Sequence, residues 1–415
     1  MKRIATLLIT VAVGILFIPC AGAQDTVKTL LSFDGTESEG NLIFDSVGNL
    51  YGTTGDQYDP SLITVFKLSP NSDGTWTENV LWTSTGNPEP MNIRAGVIFD
   101  ASGNLYGTSL YGGDSNCGTV FKLTHNADGS WSEKNLHDFD CTDGYQATGG
   151  VIFDSAGNLY GTTSFGGTSN WGVVYELSPN ADGSWTETTL HNFTFGNDGG
   201  YPGHGSLAFD SAGNLYGTAG QGAQGTCFVW TTGCGTVFEM SPKANGTWSF
   251  KTIHSFTGGD DGGVPQYDLK FDSAGNLYST TYVGGKYGYG VVFELIHHSN
   301  DSWSERVVHH FRGGGDGAGP FGGVIFDAAG NLYGTTSVGG DNECFNAVSP
   351  GGCGTVYKLT PKTTGGFTHT VLVRFHGKPN NTPYSDLVID NVGNLYGAAT
   401  GYGTYSSGTV YEVIP

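Results

Sequence analysis

The phrase Gly-Asn-Leu-Tyr occurs seven times in this chain, beginning at Gly48, Gly103, Gly157, Gly213, Gly275, Gly330 and Gly393. Successive copies lie 55, 54, 56, 62, 55 and 63 residues apart. A near-constant period means that one structural unit is stacked on copies of itself, because a single unit of this size cannot bury its own apolar face. The period is too long for ankyrin or tetratricopeptide units and close to a four-stranded propeller blade plus loops. The third unit predicts strands over 151–154, 158–163, 172–177 and 185–193. Turn residues separate them, Asp154-Ser155-Ala156-Gly157-Asn158 first and Pro179-Asn180-Ala181-Asp182-Gly183 last. Helical periodicity is absent after residue 24.

The two ends complement each other. After the seventh phrase only a third strand follows, over 408–413, whereas the segment 26–33 precedes the first unit and matches the fourth-strand pattern Leu136-His137-Asp138-Phe139. The expected fold is therefore all-β, a seven-bladed β-propeller of four-stranded antiparallel blades, closed by the N-terminal strand completing the last blade. Closure removes the exposed edge that an incomplete last blade would otherwise offer to other chains. One domain is expected over 24–415.

Met1-Lys2-Arg3, the apolar run from Ile4 to Ile18 and Ala21-Gly22-Ala23 read as a secretory signal peptide over residues 1–23, cleaved near Ala23. A secreted, extracellular or periplasmic, protein is expected. A lipoprotein centred on Cys20 is disfavoured, because Pro19 rather than a small residue precedes it. No other segment approaches the roughly 20 apolar residues of a membrane helix, so no membrane insertion is expected. Removing Lys2 and Arg3 moves the formal charge from −21 to −23, which repels phosphate backbones and argues against nucleic-acid binding. Six cysteines remain, an even number in an oxidising compartment. Cys227 with Cys234 and Cys344 with Cys353 fall within the long loops of units four and six, and Cys117 faces Cys141 across a loop and a blade connection. Three disulfides are expected; no Cys-x-x-Cys spacing supports a metal site.

Seven aspartates, Asp45, Asp100, Asp154, Asp210, Asp272, Asp327 and Asp390, open the turn between strands one and two. A calcium role is conceivable, but an Asp at this place caps its own turn. His137, His191, His254 and His309 share one register of the fourth strand, occupied elsewhere by Trp82 and Val373, which indicates a packing or outer-surface role. Trp76, Trp131, Trp185, Trp248, Trp303 and Phe367 start that strand and read as blade-edge packing. Repeats differ most in the connections that lead into each innermost strand, where function is expected. These connections carry Arg94, Tyr145, Tyr201, His204, Tyr267, Asp268, Phe321, Tyr384 and Asp386, the expected ligand-binding residues. Asp268 and Asp386 stand where other units have Asn41, Gly96, Gly150, Ser206 and Gly323. If they serve a site, replacing them with Ala should leave stability nearly intact.

The stretch Ile152-Phe153-Asp154-Ser155-Ala156-Gly157-Asn158-Leu159-Tyr160-Gly161-Thr162-Thr163, followed by Phe165-Gly166-Gly167 and Gly-Thr-Val-Phe or Gly-Val-Val-Tyr, resembles the GloVer repeat of choice-of-anchor tandem repeat proteins. The resemblance covers nearly all of 26–415 and implies an exported bacterial protein without an established activity. Such proteins often carry a C-terminal sorting segment; Ile414-Pro415 carry none, so anchoring is not expected. The Asp-x-x-Gly-Asn-Leu-Tyr phrase is also similar to NHL, gluconolactonase-like and streptogramin-lyase propellers, over a turn and a strand only, so no catalytic residue is carried over. The expected function is a monomeric, non-catalytic binding module for a polysaccharide or cell-surface component, without an obligatory cofactor. The alternative is a metal-assisted lactonase, hydrolase or lyase at the channel mouth, with His204 as base, Asp268 and Asp386 as ligands, and calcium or another divalent ion bound. Innermost strands of the type Val-Ile-Phe-Asp, broken only by Lys270, favour binding.

Overall fold

A computed structural model describes residues 26–56, 59–227, 233–340, 351–377, 382–400 and 408–415. It consists of seven four-stranded antiparallel sheets, six of them simple meanders and the seventh completed by the N-terminal strand. The third blade is representative: strand a at Ile152–Phe153, b at Leu159–Thr163, c at Val173–Pro179 and d at Trp185–Asn192. Strand d lies outermost. Strand a is shorter than the expected 151–154 because Asp154 already belongs to the turn. Among the described residues the only helical elements are two short 3-10 turns, Pro60–Leu62 and Gly314–Asp316.

The ring closes as the two chain ends imply. Thr26–Ser32 pairs antiparallel with Thr409–Ile414 and supplies strand d of the seventh blade, with Val27 opposite Val413 and Thr29 opposite Tyr411. The seam is packed like the other interfaces: Tyr396 and Val410 of blade 7 share a core cluster with Leu42, Leu50 and Phe66 of blade 1.

Every letter of the repeated phrase has a physical task. Asp154 Oδ1 accepts the backbone N–H of Ala156 at 2.8 Å and of Asn158 at 2.9 Å, while its Oδ2 accepts from Asn158 Nδ2 at 2.9 Å and Tyr160 Oη at 3.2 Å. Gly157 sits at φ +90°, a left-handed conformation that favours glycine. Leu159 is buried. The Tyr160 ring meets Phe209 of the next blade edge-on at 5.2 Å and Trp248 at 5.9 Å. The same Tyr–Phe–Trp trio recurs at Tyr396 with Phe44 and Trp76, at Tyr106 with Phe153 and Trp185, and at Tyr216 with Phe271 and Trp303. Strand-d tryptophans thus pack between blades, as expected. A Cβ on Gly161 would lie 2.4 Å from Tyr175 Oη, so the ring of strand c occupies the space of a missing side chain.

The strand-d histidines close the blade connections. His137 lies 2.8 Å from Asp143, His191 3.2 Å from Asp198, His254 4.0 Å from Asp261 and His309 3.1 Å from Asp316. Asp198, Asp261 and Asp316 also accept the backbone N–H of Thr194, Thr257 and Arg312, so each His–Asp pair fastens the connection leaving its strand.

Two expected disulfides are formed, Cys117–Cys141 and Cys227–Cys234, with Cα separations of 5.3 and 5.2 Å. Cys353 is buried and disulfide-bonded; its expected partner Cys344 lies outside the described residues, as does the expected signal peptide. Among the described residues no helix is long and apolar enough to cross a membrane. Disulfides and that observation are consistent with an extracellular protein.

Candidate functional site at the channel mouth

Side chains alternate along an extended segment, so residues two apart face the same way. Taken along the seven innermost segments, this rule yields three stacked rings around the axis. The neck ring is Asn41, Gly96, Gly150, Ser206, Asp268, Gly323 and Asp386. Two residues earlier comes the mouth ring, where Glu39, Arg94, His204, Phe321 and Tyr384 line the axis, while Thr148 turns to Ser164 Oγ at 2.8 Å and Gln266 packs over Gly203 and Gly220. Two residues later comes the lower ring: Ile43, Ile98, Ile152, Ala208, Lys270, Ile325 and Val388. Strand-b threonines of the repeat hold the segment between mouth and neck, with Thr53 donating to Ala95 O at 3.0 Å, Thr108 to Gly149 O at 2.9 Å and Thr280 to Gly322 O at 2.7 Å.

The neck is tight. A Cβ on Gly96 would sit 2.2 Å from Asn41 O, and one on Gly323 2.7 Å from Asp268 O. Side chains of the ring tie adjacent blades: Asp268 Oδ1 accepts from Ser206 N at 2.6 Å, Asp386 Oδ1 from Gly323 N at 2.6 Å, and Asn41 Oδ1 from Asp386 N at 2.8 Å. Asp268 Oδ2 accepts from Lys270 Nζ at 3.0 Å.

Above the neck lies a cavity of about 40 Å³, lined by Glu39, Arg94, His204, Tyr267, Asp268, Phe321, Tyr384 and Asp386 among others. It has room for a few waters but not for a sugar ring. Arg94 pairs with Glu39 at 3.3 Å. Phe321 is surrounded by Tyr384 at 3.9 Å, Tyr267 at 5.0 Å, Tyr282 at 5.8 Å and His204 at 6.0 Å. Among the described residues, Tyr267 Oη and Asp386 Oδ2 are buried without a hydrogen-bond partner.

Burial dominates the electrostatics. It lowers His204 to about 4, with Arg94 adding to the shift, so the imidazole is neutral at pH 7. Burial raises Glu39 against the opposing pull of Arg94. Asp386 is raised well above the carboxylate range, first by burial and then by the charge of Asp268, with Lys270 opposing. Asp268 in turn holds the Lys270 ammonium firmly protonated.

Seven of the nine expected site residues therefore meet at one cavity: Arg94, His204, Tyr267, Asp268, Phe321, Tyr384 and Asp386. Tyr145 and Tyr201 do not line it. Tyr201 occupies a left-handed turn at φ +59°, and the two rings flank Phe165 at 5.8 and 5.0 Å, extending the aromatic surface beside the mouth. Glu39 was not among the expected residues, although its register, two before Asn41, marks it.

Asp268 and Asp386 do not fit a divalent ion as they stand. Both Asp268 oxygens are engaged, and Lys270 already supplies the cation beside them. Away from the axis, His309, Asp316 and His369 bring three ligand atoms together. Their imidazoles stack in parallel, 4.0 Å apart at 6°, so the two ring planes do not converge on one point as shared metal ligation needs. His191 stacks on Phe250 in the same manner between blades 3 and 4, at 3.9 Å and 11°, which marks the arrangement as packing.

Fold and site together define a seven-bladed β-propeller with a polar, aromatic-rimmed axial pocket. The chain belongs to the Gloeobacter/Verrucomicrobia repeat family, whose profile matches residues 13–230 and 92–348. No curated protein matches it significantly. Similar solved structures include a luciferin-regenerating enzyme, 14% identical over 94% of this chain and 95% of that one, with TM-score 0.47. A putative oxidoreductase (glucose dehydrogenase) from Thermus thermophilus is 16% identical over 75% of this chain and 94% of that one, with TM-score 0.44. A protein of unknown function from Dyadobacter fermentans is 10% identical over 94% of this chain and 99% of that one, with TM-score 0.40. At these values nothing of their chemistry transfers.

Proposed function

We propose that this propeller is a secreted, non-catalytic binding module whose ligand is a polysaccharide or another glycan-bearing cell-surface component, bound across the mouth ring. The observation that carries this reading is the meeting of seven repeat-breaking residues at one axial pocket, with Tyr267 Oη and Asp386 Oδ2 left without a hydrogen-bond partner among the described residues. A chain of sugars lies against the aromatic rim of Phe321, Tyr384, Tyr145 and Tyr201, where ring faces stack on aromatic side chains, and a single hydroxyl reaches into the small cavity. Arg94 and Glu39 supply a donor and an acceptor beside it. Binding without turnover agrees with a pair of carboxylates that tie blades together rather than face a common substrate atom.

The test is to incubate the secreted, oxidised protein with a panel of polysaccharides and lactones, with and without chelator, following retained ligand and product mass. Retention of a glycan, unaffected by chelator and without product, is the expected result. Chelator-sensitive product would overturn it.

A further inference from the structure

Below the neck the channel widens into a second chamber of about 490 Å³. It opens towards the face of the a–b turns, opposite the mouth, and its wall is the lower ring. Ile43, Ile98, Ile152, Ile325 and Val388 make that wall apolar, and one position breaks it: Lys270. The lysine is no accident of a surface strand. Its side chain remains 39% exposed to the channel, and its Nζ lies 3.0 Å from Asp268 at the chamber's inner end, its one hydrogen-bond acceptor among the described residues. An ammonium has three N–H donors, so two remain free for a ligand. The chamber lies within the roughly 300–1,000 Å³ range of small-molecule sites, which combine apolar walls with one or two orienting polar groups.

We propose that this lower chamber binds a small amphiphile with an apolar body and a terminal carboxylate, the carboxylate resting on Lys270 and the body along the isoleucine ring. Asp268 and Asp386 also line the chamber's inner end, but Asp268 is paired with Lys270, and burial together with the Asp268 charge favours the neutral form of Asp386, so the remaining N–H donors of the ammonium select the head group. A cationic head would meet an ammonium, and a neutral hydroxyl would forgo the charge-assisted hydrogen bond that a carboxylate gains. Asp268 keeps Lys270 charged and aims it at the chamber's inner end, acting as a positioning residue. The inference is independent of glycan binding at the mouth, since the neck ring separates the two spaces.

Octanoate and 1-octanol, titrated calorimetrically into the intact oxidised protein, test it. Octanoate is expected to bind one to one and roughly 10-fold or more tighter than octanol, about the gain of one charge-assisted hydrogen bond. Lys270→Met should abolish that preference while keeping octanol binding, and Ile98→Trp should weaken both by crowding the apolar wall. Because Lys270→Met alone strands the Asp268 charge, the double variant Asp268→Asn/Lys270→Met provides the same comparison in a neutral background. Absence of saturable one-to-one octanoate binding, or a preference that survives in both lysine variants, would overturn the proposal.

Discussion

Asp154 and five of its six counterparts show how one carboxylate fixes a turn, a strand start and a blade interface, whereas in the fifth unit Tyr278 donates to Glu294 instead. Four donors converge on it, so Asp154→Ala is expected to destabilise the protein by about 1–3 kcal/mol, whereas Asp154→Asn, which keeps one acceptor oxygen, should cost less; urea unfolding measures both. Asp386 behaves differently because burial and Asp268 raise its pKa above the unfolded-state value. A raised acid contributes its full stabilisation below the unfolded pKa and loses it as pH rises through the folded one. Asp386→Asn should therefore flatten part of the fall in melting temperature between about pH 4 and pH 8. An unchanged pH profile would show that Asp386 is already ionised. Since Asp268 and Asp386 each accept a backbone N–H group from a neighbouring blade through Oδ1, their Ala variants should each lose about 1–3 kcal/mol. That differs from the near-neutral effect expected of a pure site residue.

Blades are legible from the chain because turn chemistry and strand pattern coincide in every copy. Asp, Gly and Asn specify the a–b turn, and the alternating Leu and Tyr of strand b specify which side packs on its own sheet. The strand ends are less legible. Strand a shrinks to two paired residues since Asp154 is drawn into its turn, a side-chain effect that hydrophobic alternation does not register. Close approach across the blade is likewise hidden: only the packed structure shows that Gly161 gives up its side-chain space to Tyr175. Gly161→Ala should thus cost about 1–3 kcal/mol by overpacking, read from denaturant midpoints. Reduction of Cys117–Cys141, whose ends lie 24 residues apart, should remove about 3 kcal/mol and loosen the b–c loop of blade 2 first, as hydrogen exchange would report.

At the scale of the whole ring, the N-terminal strand is the latch. Deleting residues 26–33 would leave strand c of blade 7 as an open edge and is expected to yield aggregation or a broadened unfolding transition. The axial site was legible as a set of repeat-breaking residues but not as a shape. Counting two residues back from the neck would have added Glu39, and counting two forward would have tied Lys270 to Asp268. The sizes of the two spaces, about 40 and 490 Å³, depend on how closely seven backbones approach at the neck, which a sequence does not encode position by position. The claim that binding occurs at the mouth is tested most directly by hydrogen–deuterium exchange with and without a retained glycan. Protection concentrated in residues 92–96, 203–206, 319–323 and 382–386 is the predicted result, and protection confined to the outer d strands, with the axial segments unchanged, would contradict it.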